Sequence, residues 1–376
     1  MRNSRIALSV PGQVKPGKIL EKELLSRGIP KQEFAIRCGR TPKLISEILA
    51  GSAPIVPETA IQFERVLDID AEIWMNLEAS YQLEKKKLAD QTAWSKCGEW
   101  VGKFPVNVMA DWLGNPRPKD TESKVSLVLS FFATASIAAC DKLLSERLTQ
   151  AHYRRSNQFT DDMIQELTWL RMGKLMAQDI NCSPFDATRF KTTIKTFRRL
   201  TSFSIAKFQE ELVRESAKCG VAVVLVPGLK MTRTSGATHW LSKDKVVIQL
   251  SNRGKSNDLF WFNFYHECCH VLRHSKKKTY WDINSGKNLG ADDKEIEKNE
   301  KEADEFAAAQ LISEEQYGGF LKIFRGKDRS SHANIADYAA KIGVAPGILL
   351  GQLQKRRVLP WATKLNSLKV KLYLKS

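Results

Sequence analysis

Two histidines four residues apart, with a glutamate directly after the first, stand at His266-Glu267-Cys268-Cys269-His270. On an α-helix, residues i and i+4 share a face, so both imidazoles can reach one metal ion. Glu267 is then placed to take a proton from an attacking water as general base, the arrangement of a zinc peptidase helix. The surrounding run WFNFYHECCHVLRH is apolar and aromatic, as a buried helix requires. A catalytic zinc also needs a third protein ligand. His274 lies eight residues beyond His266, about 12 Å of helix rise, too far to share an ion with it. It suits the helix C-terminus instead. Glu300 is the better candidate. Glu300, Ala303, Asp304, Ala307 and Leu311 fall on one face of a second helix, apolar except for its two carboxylates. An acid on the core side of a helix needs a partner, and a metal is one. Asp304, one turn on, can accept the other ring N–H of a ligating histidine. Glu302 is the rival ligand, but it lies about 200° around the helix from Glu300, so both cannot face one ion.

The elements that must position these residues follow from pattern. Val221–Val226 is a β-branched strand ended by Pro227-Gly228. Ala237–Leu241 and Lys245–Leu250 form a strand pair around Ser242-Lys243-Asp244. A small sheet before the histidine helix suits a zinc peptidase, whose edge strand can bind an extended peptide, with Thr234–Ala237 the expected edge. Residues 95–215 have helical period, with turns near Gly114-Asn115-Pro116 and Cys182-Ser183-Pro184. The basic run from Lys191 to Arg199 reads as a solvated helix face. After Ile312, IADYAAKIGVAPGILLGQLQKRRVL forms a two-helix corner expected to pack against this region, and VKLYLKS a terminal strand.

H-E-x-x-H, a spacer and E-x-E-A-D-x-F-A together resemble the ImmA/IrrE family of metallopeptidases, as does the upstream text SGATHWLSKDKVVIQLSNRGKSNDLFWFNFYHE. The resemblance implies a zincin-like fold, zinc as cofactor and hydrolysis of a peptide bond in a regulatory protein. Cys268-Cys269 departs from the small or aliphatic residues usual inside that motif. Neither cysteine is a ligand position. His239 and His332 are the histidines left over for stabilising an oxyanion.

The N-terminal region carries a different pattern. In GIPKQEFAIRCGRTPKLISEILAG, Ala35 permits close helix contact, Gly39 takes the turn, and Ile45 and Ile48 anchor a second helix. Thr41 is an N-cap and Pro42 sits at N1. These offsets make a helix-turn-helix. Residues 15 to 84 resemble XRE-type antitoxins of the HigA kind, dimeric repressors of their own operons. On that resemblance Thr41, Lys43, Ser46 and Glu47 face base edges in the major groove, while Gln32, Lys31 and Arg40 touch phosphates.

Composition agrees with a polyanionic partner. Lys and Arg number 59 against 42 Asp and Glu, a formal net charge of +17. The seven cysteines show no CxxC pair and no regular framework, which reads as reduced thiols. No signal-peptide pattern or membrane-length apolar run occurs, so a cytoplasmic protein with no membrane partner is expected.

The expected architecture is α+β, mainly helical with a small sheet. It comprises a helix-turn-helix DNA-binding domain at 1–90, a helical connector at 91–215 and a zinc peptidase domain at 216–376. The expected activity is a DNA-binding, antitoxin-type regulator and homodimer that binds a double-stranded operator. Its zinc endopeptidase cuts a regulatory protein, or acts on a cognate toxin, more readily than its own connector at Leu83–Thr92. The rivals are a non-catalytic sensor with a structural zinc and a plain antitoxin acting by contact. Glu267 favours chemistry, because a structural site has no need of it.

Overall fold

The computed structural model describes residues 14–150, 161–232, 234–253, 255–274, 280–281 and 291–372. It is mainly helical with one small sheet. The chain divides into two compact units, Met1–Glu99 with Lys119–Val125, and Trp100–Pro118 with Ser126–Ser376.

The first unit is built from helices α1 (Pro16–Ser26), α2 (Lys31–Arg37), α3 (Pro42–Ala50), α4 (Pro57–Leu67) and α5 (Ala71–Trp94). Proline opens α1, α3 and α4, where its fixed φ suits the helix and its missing N–H leaves no orphan donor. Thr41 caps α3 by accepting from the Leu44 N–H at 3.2 Å. Gly39 turns the chain between α2 and α3 at φ +62°. The core stacks Phe34 on Phe63 at 5.1 Å between centroids and Phe63 edge-on to Trp74 at 5.6 Å. Helix α1 crosses α3 so closely that a Cβ on Gly17 would stand 2.2 Å from the Ile48 carbonyl oxygen. The charged run after Tyr81 continues α5, with Leu83 and Leu88 exposed on it.

Helices α6 (Gly98–Gly102), α7 (Val106–Leu113), α8 (Thr121–Phe132), α9 (Ile137–Gln150), α10 (Asp161–Asp179), α11 (Ala187–Thr196) and α12 (Ile205–Ala217) follow. Among the described residues, no single helix is long and apolar enough to cross a membrane. The sheet comprises β1 (Val221–Leu225), β2 (Gly236–Ser242), β3 (Lys245–Leu250) and the short β4 (Tyr280–Trp281). Their order is β1-β3-β2-β4. β3 pairs in parallel with β1 and as an antiparallel hairpin with β2. The helix α13 (Asn257–Arg273) precedes β4, and α14 (Ala291–Leu311), α15 (Glu314–Ile323), α16 (His332–Lys341) and α17 (Pro346–Lys355) complete the unit.

Strand alternation sorts the sheet into two covered faces. Val221, Val223, Val246, Ile248 and Leu250 join the core that contains α13. Gln249, one residue out of phase, meets α10 on the other face, where its amide donates to the Trp169 carbonyl at 2.7 Å. Gly173 is required there, since a Cβ would lie 1.9 Å from the Gln249 side-chain oxygen. Helix α13 is buried almost all round. Phe264 packs on Phe197, Trp261 on Phe208, and the Tyr265 hydroxyl donates to the Ile194 carbonyl at 2.9 Å.

Two expectations need correction. The edge expected at Thr234–Ala237 is not open: Ala237 and Thr238 pair with Trp281 and Tyr280 of β4. The Thr234 hydroxyl bonds the Glu166 carboxylate, and the Ser235 carbonyl accepts from the Ser251 N–H. A two-residue strand has no alternation to read, so the sequence pattern could not reveal this cover. The terminal strand is reduced to one bridge, Ser256 with Lys371, and residues 373–376 lie outside the described residues.

Candidate metal centre

Helices α13 and α14 run antiparallel and face each other across the site. His270 meets Glu300, and His266 meets both Glu300 and Asp304. The i, i+4 spacing puts both imidazoles on one side of α13, each buried. Their Nε2 atoms stand 3.0 Å apart. Glu300 Oε2 lies 3.0 Å from His266 Nε2, and Glu300 Oε1 lies 3.5 Å from His270 Nε2.

These distances can be tested against a metal. Ligand atoms 2.0–2.1 Å from a tetrahedral zinc stand about 3.3 Å from one another. The three donors, two imidazole nitrogens and one carboxylate oxygen, converge at that spacing. The two rings differ in their electrostatics. Burial pulls the pKa of His266 down, but hydrogen bonds with Asp304 and Glu300 and the charge of Glu267 outweigh it and carry the group up to about 10. Burial, then the charges of His266 and His274, push His270 down to about 2. Without an ion, the proton of the pair therefore sits on His266 rather than His270. Zinc fits the residues present in donor type and spacing.

Each ligand candidate is held from behind. His266 Nδ1 is 3.1 Å from Asp304 Oδ1, which leaves Nε2 for the ion. His270 Nδ1 is 2.8 Å from His274 Nδ1, and His274 Nε2 is 3.4 Å from Glu302. Arg273 pairs with the same Glu302 at 2.8 Å. Glu302 thus faces away from Glu300, toward Arg273 and His274. With Cys269 and His274 it forms a second cluster of donors within 4.8 Å of one another. His274 uses Nδ1 on His270 and turns Nε2 to Glu302, so it links the two clusters and orients His270.

Glu267 points toward the sheet. The Thr238 hydroxyl donates to its Oε2 at 2.7 Å. A Cβ on Gly236 would stand 2.5 Å from its Oε1, so only glycine leaves room for this carboxylate. Sequence reasoning missed Gly236, Thr238 and the pairing of His274 with His270. The one available signal was the i+4 step from His270 to His274. His239 is not near the ligands. Thr238 takes the α13 face of β2, so His239 takes the opposite one, where burial and then Lys174 and Arg147 hold its pKa down near 3. His332 is exposed at the start of α16.

In the first unit, Gln32, Thr41 and Lys43 are exposed, Lys43 at 85% of its side chain. The Ser46 hydroxyl donates to the Pro42 carbonyl at 2.7 Å, and Lys43 lies 4.0 Å from Glu47. Arg40 folds back on α4, bonding Gln62 at 2.6 Å and Glu58 at 2.9 Å.

Comparison with known proteins agrees with both units. Residues 223–347 match the family model of the IrrE N-terminal-like domain, peptidase family M78. The uncharacterised HTH-type transcriptional regulator YddM of Escherichia coli (strain K12) is 31% identical over 77 residues, covering 20% of this chain and 82% of that protein. The solved Pseudomonas aeruginosa antitoxin HigA with higBA promoter is 27% identical, covering 21% of this chain and 88% of that one, with a TM-score of 0.21. The fold and site thus define a regulator-type helix-turn-helix joined to a metallopeptidase-type domain. The chain belongs to the HTH-type transcriptional regulators through its N-terminal region and carries an ImmA/IrrE-type M78 domain in its C-terminal region.

The ligand geometry yields a direct expectation. The purified protein holds about one zinc per chain. Metal analysis finds it lost in His266→Ala and Glu300→Ala and retained in Glu302→Ala. Retention in Glu300→Ala with loss in Glu302→Ala would transfer the third ligand to Glu302.

Proposed function

We propose that the protein is a DNA-binding, antitoxin-type regulator whose C-terminal region, residues 216–376, is a zinc endopeptidase acting on a separate regulatory protein. The helix-turn-helix domain occupies residues 1–90 and a helical connector 91–215. The convergence of His266, His270 and Glu300 beside Glu267 is the observation that carries the peptidase reading. The donor set suits zinc, which when bound supplies a Lewis acid for activating water and a peptide carbonyl. Asp304 holds His266 in the tautomer that offers Nε2, and His274 does the same for His270. Glu267 receives the proton of the attacking water and passes it to the leaving amine. The Thr238 hydroxyl keeps that carboxylate oriented, and Gly236 gives it room. The peptide cannot lie on β2 along Ala237–Thr238, where β4 is already paired.

A substrate in trans is favoured over self-cleavage. Residues 83–92 form part of the continuous helix α5, and a peptidase needs its substrate extended. With Glu267→Gln the zinc stays and cleavage of proteins from the same cell falls by about 10²–10⁴-fold. Fragments mapped by mass spectrometry identify the substrate. Undiminished cleavage by Glu267→Gln would assign the activity elsewhere, and absence of any cleavage by zinc-loaded wild type would leave a non-catalytic sensor.

For the DNA, the name of the regulator YddM and the net charge of +17 support binding of an operator, and binding as a dimer is part of the proposal. Lys31, Gln32, Thr41 and Lys43 are exposed groups of the helix-turn-helix available for contact. Arg40 would have to leave Glu58 and Gln62 to reach a phosphate. Lys43→Ala lowers affinity for DNA from the protein's own promoter region and reduces the slope of log affinity against log salt by about 1 if its contact is to phosphate. Wild-type affinity that does not vary with salt would end the repressor reading.

A further inference from the structure

The face of α13 that presents the imidazoles continues past them. His266, Phe262 and Asp258 follow at four-residue steps toward the helix N-terminus, each step about 6 Å along the axis. Beside them lies a cavity of about 310 Å³, floored by Phe262, Ala308, Leu311 and Ile348, with Asp304 also on its wall. Asp304 is the residue bonded to His266, so this cavity abuts the metal centre. Leu259 and Trp361 line it too. The same two residues line a second cavity, of about 510 Å³, whose wall includes Lys255, Lys369 and Lys371. The two cavities share that wall, and we read them as one groove: at the end near His266 an apolar floor is bordered by Asp304, Glu305, Lys355 and Arg356, and the other end is cationic.

The cationic end has a stated chemistry. Lys369 is paired with Asp258 at 2.6 Å. Lys255 and Lys371 are exposed and have no ion-pair partner among the described residues. Ser256, in the same wall, is the N-cap of α13, and it makes no side-chain capping bond there. Asp258 in the first turn and the Val370 carbonyl, which accepts from the Asn257 N–H at 2.9 Å, already answer the helix N-terminus, so the cationic character of this end rests on the two lysines. Trp361, 55% exposed, stands between the two ends.

We propose that this groove binds the substrate of the peptidase, and that the substrate is an extended segment with a bulky apolar residue next to the scissile bond and acidic residues further along. The proposal rests on the peptidase reading and specifies its substrate. The spacing follows from the helix. Ten residues separate His266 from Ser256, about 15 Å of rise, and an extended peptide covers about 3.3 Å per residue. The acidic residues therefore fall about four to five positions from the cleaved bond. A nucleic-acid strand fits less well, because Asp304 and Glu305 line the end near His266 and repel a phosphate backbone.

The test uses the full chain carrying Glu267→Gln, so that binding is read without cleavage. Fluorescence anisotropy is measured with labelled peptides of about twelve residues. Each has a Leu-Phe pair and, four positions away in either direction, three Glu or three Gln. A single-stranded oligonucleotide of similar length is the competitor. The Glu peptide in one direction binds at least about tenfold tighter than its Gln counterpart. Adding Lys255→Ala and Lys371→Ala removes that difference and leaves the Gln peptide unchanged. Ala308→Phe, which fills the apolar end, weakens both peptides, with zinc content and melting temperature as checks on folding. Equal binding of Glu and Gln peptides in both directions, or indifference to the lysine substitutions, overturns the proposal. So does lysine-dependent binding of the oligonucleotide in preference to the peptides. If groove binding is absent while Glu267-dependent cleavage of some protein persists, the groove is wrong and the peptidase stands. If lysine-dependent binding occurs but wild type cuts nothing, the groove stands and the peptidase reading falls.

Discussion

Two imidazole nitrogens 3.0 Å apart, with a carboxylate equally close, need a shared proton or a cation among them inside a protein. That requirement sets the geometry of the C-terminal unit. Helices α13 and α14 must run antiparallel and in register for Glu300 to reach both rings. Asp304 must then lie one turn further along to hold His266. Burial of α13 by the sheet and by Phe197, Phe208 and Ile194 gives the rings a rigid support. A shift of α13 by one residue would break the ligand set and the Tyr265 hydrogen bond together.

The same packing explains how the Glu267 carboxylate, the proposed general base, can be kept near the site without collapsing onto it. Glu267 is adjacent in sequence to a ligand candidate but projects about 100° away around the helix. There it meets β2, where a glycine leaves space and a threonine hydroxyl gives it a hydrogen bond. The sheet is thus a backstop for the carboxylate, and β4 completes it on the outer side. On the proposed function a peptide must therefore take another route, for which the groove along α13, α14 and α17 is the proposed one.

Much of this was legible in the residues. The step from His266 to His270 and the face shared by Glu300 and Asp304 place four side chains at one point, and the structure brings them together. β-branched runs located β1 to β3 within a residue, and helical period located the site-bearing turns of α13 and α14 but not their first turns. Contacts that depend on tertiary placement left no such trace. Gly236 looks like a turn residue until the Glu267 carboxylate is seen against it. Gly17 looks like a weak helix start until α3 is seen across it. The two-residue β4 has no pattern at all. Arg40 is a surface arginine in sequence and a partner of Glu58 in the fold. In each case the neighbour that gives the residue its role is remote in the chain, and periodicity reports only what is near.

The central claim is that two histidines and one carboxylate, rather than the adjacent Cys269, His274 and Glu302, hold a zinc ion. X-ray absorption at the zinc edge of the purified full-length protein addresses it directly. The account requires nitrogen and oxygen scatterers at about 2.0–2.1 Å, two of them imidazoles, and no sulfur. A sulfur scatterer at about 2.3 Å that disappears in Cys269→Ser would contradict it.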